Sequence, residues 1–341
     1  MNLTEVRERA GKRLEGVCRV CRVCDGLSCR GEVPGFGGVG TGTSFVNNVS
    51  ALAAVKFNLK VLHDAGEPDT ALRLFGVDLK YPVLGAPVAG VRVNRIASVT
   101  ERELAEAMIC GPAMAGTLGT GGDGGDPEVF DRALEMISRR PGGRGGIVMI
   151  KPREQAVILE KIRRAERAGA DAVGVDVDSA AFVNMTLMGQ KVEPKSPAKI
   201  AELVAATSLP FVIKGIMTVD EAEAAAGTGA AAIVVSNHGG RVVDHTPGTV
   251  EVLPAIARAV KGKVAVLVDG GVRSGGDVLK MLALGADAVL VGRPLAIAAA
   301  GGGVDGVKSW MEQAGLQLRQ AMIMTGCKNL SAVNEGILWR P

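Results

Sequence analysis

The sequence predicts an α/β fold, a (β/α)8 TIM barrel with a short N-terminal Cys-rich extension, on three observations. Eight short apolar runs recur from about residue 80 onward. They are apolar nearly throughout rather than alternating, as parallel strands buried on both faces are. Helical patterns separate them, and 341 residues suffice for one large barrel plus an appendage. The competing fold, an open doubly wound sheet, calls for a GxGxxG turn after an early strand, and none stands there.

In chain order, residues 1–50 are expected to form the extension and residues 51–341 the barrel. The opening MNLTEVRERAGKRLEG reads as a charged helix, not a signal peptide. Four cysteines follow between positions 18 and 29, then a Gly-rich run over 31–42. The eight strands are expected at 82–87, 108–116, 146–152, 171–178, 210–215, 231–240, 264–271 and 286–294. The second, MICGPAMAG, carries Pro112 and two glycines, Gly111 and Gly116. Helices are expected over 154–168, 219–226 and 274–284, with a closing helix from 304 onward.

Composition narrows the function. Apolar residues make up 47% and aromatics 3%, so the core must be aliphatic. A net charge of +3, with no basic stripe, excludes a nucleic-acid partner. The longest uncharged run, 33–55, holds too much Gly, Ser, Thr and Asn to span a bilayer. No membrane partner and a cytoplasmic location are expected. Six cysteines in such a chain argue against a disulfide framework.

The strand ends carry the chemistry, because a barrel keeps its active site on the C-terminal face. VLVDGGVRSGGDVLK closes strand seven and VLVGRP closes strand eight. Gly270, Gly271, Gly275 and Gly276 allow backbone N–H groups to face an anion, and the helix starting near Ser274 is expected to aim its positive end there. Arg273 and Arg293 can add charge-assisted bonds. Strand five ends in Lys214. Strand six ends in SNHGGRVVD, which gathers Ser236, Asn237, His238, Arg241 and Asp244: a general base beside an anion clamp. Asp176 and Asp178, at the end of strand four, share a face by the period of two, and a carboxylate there can orient His238.

SNHGGR with a following Asp, then VDGGVRSGGDVLKMLALGADAVLVGRP, resembles the FMN-dependent 2-hydroxy acid oxidase and dehydrogenase family, whose relatives oxidise glycolate, lactate and mandelate. The likeness runs from 82 to 295 and is strongest from 210 onward. It implies FMN at the barrel mouth and hydride transfer from a hydroxy acid to flavin N5. It implies Pro87, Val88 and Ala89 against the flavin ring, and Lys214 beside flavin N1. His238 becomes the base, Arg241 the grip on the substrate carboxylate and Asp178 the partner of His238. Asp269, Gly271, Arg273, Gly292 and Arg293 match the phosphate and ribityl site. Ser236 and Gly240 fall with the cofactor site, and Thr117 matches a hydroxyl that meets the flavin. The resemblance also implies a homo-oligomer, a tetramer or octamer, and leaves the electron acceptor open.

The departures from the family pattern fall on the substrate side. Asp176 stands where the family has a flavin-contacting threonine, and Lys151 about where a glutamine near the flavin is expected. The family's two substrate tyrosines are absent, since the single tyrosine, Tyr81, precedes strand one. VPGFGGVGTGTSF replaces the first of their segments, and SAAFVNMTLMG lacks the second substrate arginine. A larger or less polar acid than glycolate is therefore expected. Two other readings are an FMN-dependent isomerase resembling the type 2 isopentenyl diphosphate enzyme and a non-catalytic flavin redox sensor.

Cys18, Cys21, Cys24 and Cys29 read C-x2-C-x2-C-x4-C. That density suits zinc or an iron–sulfur cluster, or leaves four reduced thiols. An iron–sulfur centre would suit a dehydrogenase, whereas zinc would pin the segment over the barrel mouth.

Overall fold

The computed structural model describes residues 1–339. Two helices open the chain, α1 (Leu3–Arg13) and α2 (Thr43–Ala54). A hairpin follows, β1 (Leu72–Leu74) and β2 (Val77–Leu79), which turns through Phe75 and Gly76 at positive φ. The barrel then runs β3 (Val83–Gly85), α3 (Glu101–Met114), β4 (Thr120–Gly121), α4 (Pro127–Ser138), β5 (Ile147–Ile150), α5 (Gln155–Arg167) and β6 (Ala172–Asp176). It continues with α6 (Val183–Leu187), α7 (Pro197–Ala205), β7 (Phe211–Ile216), α8 (Val219–Ala226), β8 (Ala232–Val235) and α9 (Thr249–Val260). It ends with β9 (Ala265–Val268), α10 (Gly275–Ala283), β10 (Ala288–Val291) and α11 (Arg293–Thr325), which breaks at Gly303.

Strands β3 to β10 form one parallel eight-stranded sheet in the order β3-β10-β9-β8-β7-β6-β5-β4. The Gly85 N–H donates to Leu118 O at 2.9 Å, which draws β3 to the chain entering β4 and nearly closes the barrel. Leu84, Met149, Val212, Val234, Leu267 and Leu290 fill the interior, where Leu74 and Leu79 of the hairpin join them. Alternate residues, such as Val83, Val148, Val173, Ile213, Ile233 and Val289, pack outward against the helices. Both faces are buried, which is why these runs are apolar without alternation.

The expected second strand is a helix. MICGPAMAG forms the end of α3, and β4 is the two-residue Thr120–Gly121. Thr100 caps α3 with its side chain accepting from Glu103 N, and Glu103 answers in a capping box. Pro112 sits in the last turn, just before the helix stops. Six of the other seven strands lie within the expected runs and β7 passes its run by one residue, to Ile216; α8 matches 219–226, and α5 and α10 differ from expectation by a residue at each end.

The boundary expected at residue 50 falls inside α2. Asn48 of this helix donates to Asn237 Oδ1 at 2.8 Å and accepts from Thr249 N at 3.0 Å, so α2 clasps the loop after β8. At the chain start, α1 lies on α11, where a Cβ on Gly301 would meet Val6 O at 1.9 Å. No helix among the described residues is long and apolar enough to cross a membrane.

Candidate active site

A cleft opens at the C-terminal ends of the strands and encloses about 1200 Å³, measured to its mouth. Pro87, Val88 and Ala89 after β3, Lys151 after β5 and Lys214 of β7 line it. So do His238 and Arg241 after β8, Asp269, Gly271 and Arg273 after β9, and Gly292 and Arg293 after β10.

Beneath the cleft, lysines and carboxylates interlock. Lys151 Nζ donates to Asp176 Oδ2 at 2.6 Å and to Ser179 Oγ at 2.8 Å. Lys214 Nζ donates to Asp176 Oδ1 at 3.0 Å and to Asp178 Oδ2 at 3.4 Å. His238 Nδ1 lies 2.8 Å from Asp178 Oδ1. Burial alone would raise the Asp176 carboxyl, but Lys151, Lys214 and His238 hold it well below the usual carboxylate range. Burial would likewise lower the Lys214 ammonium, yet Asp176, Asp178 and Asp269 hold it above its ordinary value. Asp269 goes the other way: burial raises it despite Lys214 and the Ser236 hydroxyl, which donates to Asp269 Oδ2 at 2.9 Å. His238 adopts φ +56°, a left-handed conformation unusual for a non-glycine residue, directly before Gly239 and Gly240.

Several expected residues stand elsewhere. Thr117 is fully buried beneath β4 and its hydroxyl donates to Pro112 O at 3.3 Å, away from the cleft, because the second strand begins later than expected. Gly240 does not line the cleft; a Cβ there would meet Phe45 N of α2 at 2.4 Å. Ser236, Asp176 and Asp178 support the lining rather than form it. The amino end of α10 does not face the cleft with free amides. Ser274 Oγ accepts from Asp277 N, Asp277 Oδ2 from Arg273 N and Gln317 Oε1 from Gly275 N. The helix end that meets the cleft is that of α11, through Gly292, Arg293 and Ala296.

Asn94, Asn184, Phe182 and Ser179 were not anticipated. Asn94 Oδ1 accepts from Gly35 N at 3.0 Å, Asn184 Nδ2 at 3.1 Å and Arg241 Nη2 at 3.0 Å, and so ties three loops together. Phe182 lies 4.9 Å from the His238 ring, centre to centre, and under the Arg241 guanidinium at 5.1 Å. They come from loops or short helical turns, Asn184 from α6, whose sequences carry no periodic or motif signal.

The cleft suits a ligand that is anionic at one end and rich in polar atoms at the other. Arg241 Nε and Asp269 Oδ1 are buried without a hydrogen-bond partner. The side chains of Arg241, Arg273 and Arg293 bond to neutral acceptors, and among the described residues none is ion-paired to a carboxylate. Burial pushes Arg241 down to about 10. Burial, with Arg241 and Arg273 nearby, pushes Arg293 down to about 9. A bound phosphate and a carboxylate would answer this unmet positive charge.

The four cysteines are free thiols and line one smaller pocket beside the cleft. Among the described residues, the one set of three or more ligand-type groups whose atoms lie within 4.8 Å of one another is Asp176, Asp178 and His238, already occupied with the two lysines.

Comparison with known proteins agrees with this geometry. The family described as FMN-dependent dehydrogenase matches residues 36–186 and 182–340. 4-Hydroxymandelate oxidase of Amycolatopsis orientalis is 35% identical, over 89% of this chain and 93% of its own. L-lactate oxidase of Lactobacillus jensenii is 32% identical over 85% and 76%, and glycolate oxidase of Spinacia oleracea 29% over 86% of each. The crystal structure of mandelate oxidase with benzoyl-formic acid superposes with a TM-score of 0.76 at 32% identity, covering 99% of this chain and 97% of that one. These relatives are oxidases and lend no support to the isomerase or sensor readings. The chain belongs to the FMN-dependent dehydrogenase family and is an FMN-dependent oxidoreductase of hydroxy acids.

Proposed function

We propose that the enzyme oxidises a 2-hydroxy acid bearing a large apolar, aryl-type side chain, with His238 as the base. The observation that carries this is the 2.8 Å His238–Asp178 contact, set beside Arg241 under an apolar wall. Asp178 engages Nδ1 and so leaves Nε2 to take the substrate hydroxyl proton; the carboxylate then steadies the imidazolium. Arg241, held by Gly35 O and Asn94 Oδ1 with Nε unspent, grips the substrate carboxylate. Bound FMN supplies the hydride acceptor. Lys214 keeps a buried positive charge that favours the electron-rich form of the ring. Pro87, Val88 and Ala89 would lie along that ring, and Gly271, Gly292, Arg273 and Arg293 would hold its phosphate end.

The relatives named for mandelate and hydroxymandelate support the aryl substrate. So does Phe36, which stands in the segment that replaces the family's first tyrosine and lines the cleft. Anaerobic mixing with (S)-mandelate should bleach the flavin absorbance, and His238→Ala should abolish the bleaching while retaining bound flavin. A flavin that no aryl or alkyl hydroxy acid reduces would refute the reading. We keep with it a cytoplasmic homo-oligomer and a metal, zinc or iron–sulfur, at the four cysteines. Parallel assays with dioxygen and an artificial dye identify the class of electron acceptor.

A further inference from the structure

The N-terminal cysteines stand outside the catalytic machinery, and the fold spends many contacts on them. Between α1 and α2 the chain holds no helix longer than a single 3-10 turn, Leu27–Cys29. An irregular stretch of this length needs its own source of order. Its backbone is pinned from outside at several points. Arg7 Nη2 donates to Cys21 O at 2.6 Å, and Arg273 donates to Cys24 O at 2.9 Å and lies 3.5 Å from Cys24 Sγ. Arg293 donates to Phe36 O at 2.6 Å and Gly37 O at 2.9 Å. Those anchors surround a hollow of about 440 Å³, measured to its mouth, which Cys18, Cys21, Cys24 and Cys29 share with Phe36, Phe45 and Arg293.

The four sulfurs are not gathered as one small ion would gather them, and their surroundings suit a larger anionic centre. A tetrahedral zinc with bonds of about 2.3 Å draws its four sulfurs to about 3.8 Å apart and leaves no space between them. Here no three of the four sulfurs fall within 4.8 Å of one another. In a four-iron cluster each thiolate ligates a different iron, so the sulfurs stand farther apart around an occupied centre. Such a cluster with four thiolates is anionic, and the Arg293 guanidinium, which has no carboxylate partner among the described residues, borders the hollow.

We propose that Cys18, Cys21, Cys24 and Cys29 ligate a four-iron, four-sulfide cluster. Phe36 and Arg293 line both the hollow and the flavin cleft, so the cluster would lie one side-chain layer from the cofactor site. This assignment rests on the metal reading of the cysteines given above, and is independent of the substrate.

The test is anaerobic purification of the full-length protein, with iron, zinc, acid-labile sulfide and flavin measured on one sample. About four iron and four sulfide per chain, with a paramagnetic signal after dithionite reduction, are expected. Zinc near one per chain without sulfide would overturn the cluster but keep a metal site; no metal would overturn both. Flavin content and bleaching are read separately, so failure of the flavin reading shows independently. Cys24→Ser should lose most of the iron and keep its flavin. If that variant does not fold, the wild-type metal and sulfide analysis still decides.

Discussion

At the scale of single residues, two departures from the family pattern turn out to be one feature. Lys151, just after β5, and Asp176, at the end of the neighbouring β6, are 25 positions apart, and their 2.6 Å ion pair is buried. Each was legible in the sequence as an oddity, but nothing local could show that the charges meet. Removing Asp176 leaves Lys151 without a carboxylate, and removing Lys151 leaves Asp176 with Lys214 and His238 alone; breaking a buried pair typically costs about 3–5 kcal/mol. Lys151→Gln and Asp176→Thr should each destabilise by that order in urea unfolding, whereas the double variant should lose clearly less than their sum. Strict additivity would mean that the pair does not act as a unit. The pH dependence follows from the signs. Asp176 is depressed in the fold, so its contribution is complete above its unfolded value of about 3.9 and fades as pH falls through the folded one. Lys214 is raised, so its contribution is complete below about 10.4 and fades as pH rises through its folded value. The gap in urea midpoint between wild type and Asp176→Asn should therefore stay level from about pH 5 to 9 and narrow only below about pH 4. A gap already closed at pH 6 would assign the titration to another group. Lys214→Met should lower the flavin potential and weaken sulfite addition, since the buried cation faces the cleft; an unchanged potential would place its charge elsewhere.

At the scale of elements, the strands that end in Lys, His, Asp and Gly-rich turns were legible because a buried parallel strand is apolar until it reaches the site. The same rule produced the one misplaced strand. A helix buried on most sides is also a continuous apolar run, and α3 buries Met108, Ile109, Cys110, Gly111, Pro112 and Ala113 in succession. Length and caps separate the two cases. Thr100 and Glu103 carry the T-x-x-E spacing that marks a helix start, so the correct assignment was present upstream. Thr100→Ala should cost about 1 kcal/mol, read as a lower urea midpoint with an unchanged slope. No loss would mean that the box is ornamental in a helix fixed by packing. Helix α10 gives the complementary case. Its glycines resembled an anion cradle, yet Gln317 and Ser274 take the Gly275 and Asp277 amides, Asp277 takes that of Arg273 just before it, and α11 meets the cleft instead.

At the scale of the whole molecule, the proposed flavin half of the site comes from strand ends, while the proposed substrate half is assembled from loops and helix ends far apart in sequence. Phe36, Val93, Ile96, Leu104, Phe182 and Met185 converge on the cleft from four segments. None announced itself in the sequence, because convergence of loops and helix ends from distant segments leaves no local trace. What was legible was an absence, that of both tyrosines and the second arginine, and the apolar wall is its structural counterpart. On the function proposed above, this wall selects the substrate. A small acid such as glycolate offers only its carboxylate and hydroxyl, which Arg241 and His238 can meet. Its remaining hydration is stripped with few polar partners in return. An aryl acid makes the same two polar contacts and also removes a ring from water, worth about 2 kcal/mol when fully buried, or a few tens-fold in specificity. The expected order of kcat/KM with an artificial acceptor is therefore mandelate above lactate above glycolate, with glycolate below about 10⁴ M⁻¹s⁻¹. Phe182→Ala should erode the preference for mandelate more than it affects lactate, since the Phe182 ring borders both His238 and Arg241. Efficient glycolate turnover, or a preference untouched by Phe182→Ala, would show that polar loop residues replace the missing tyrosines and that the apolar wall does not select the substrate.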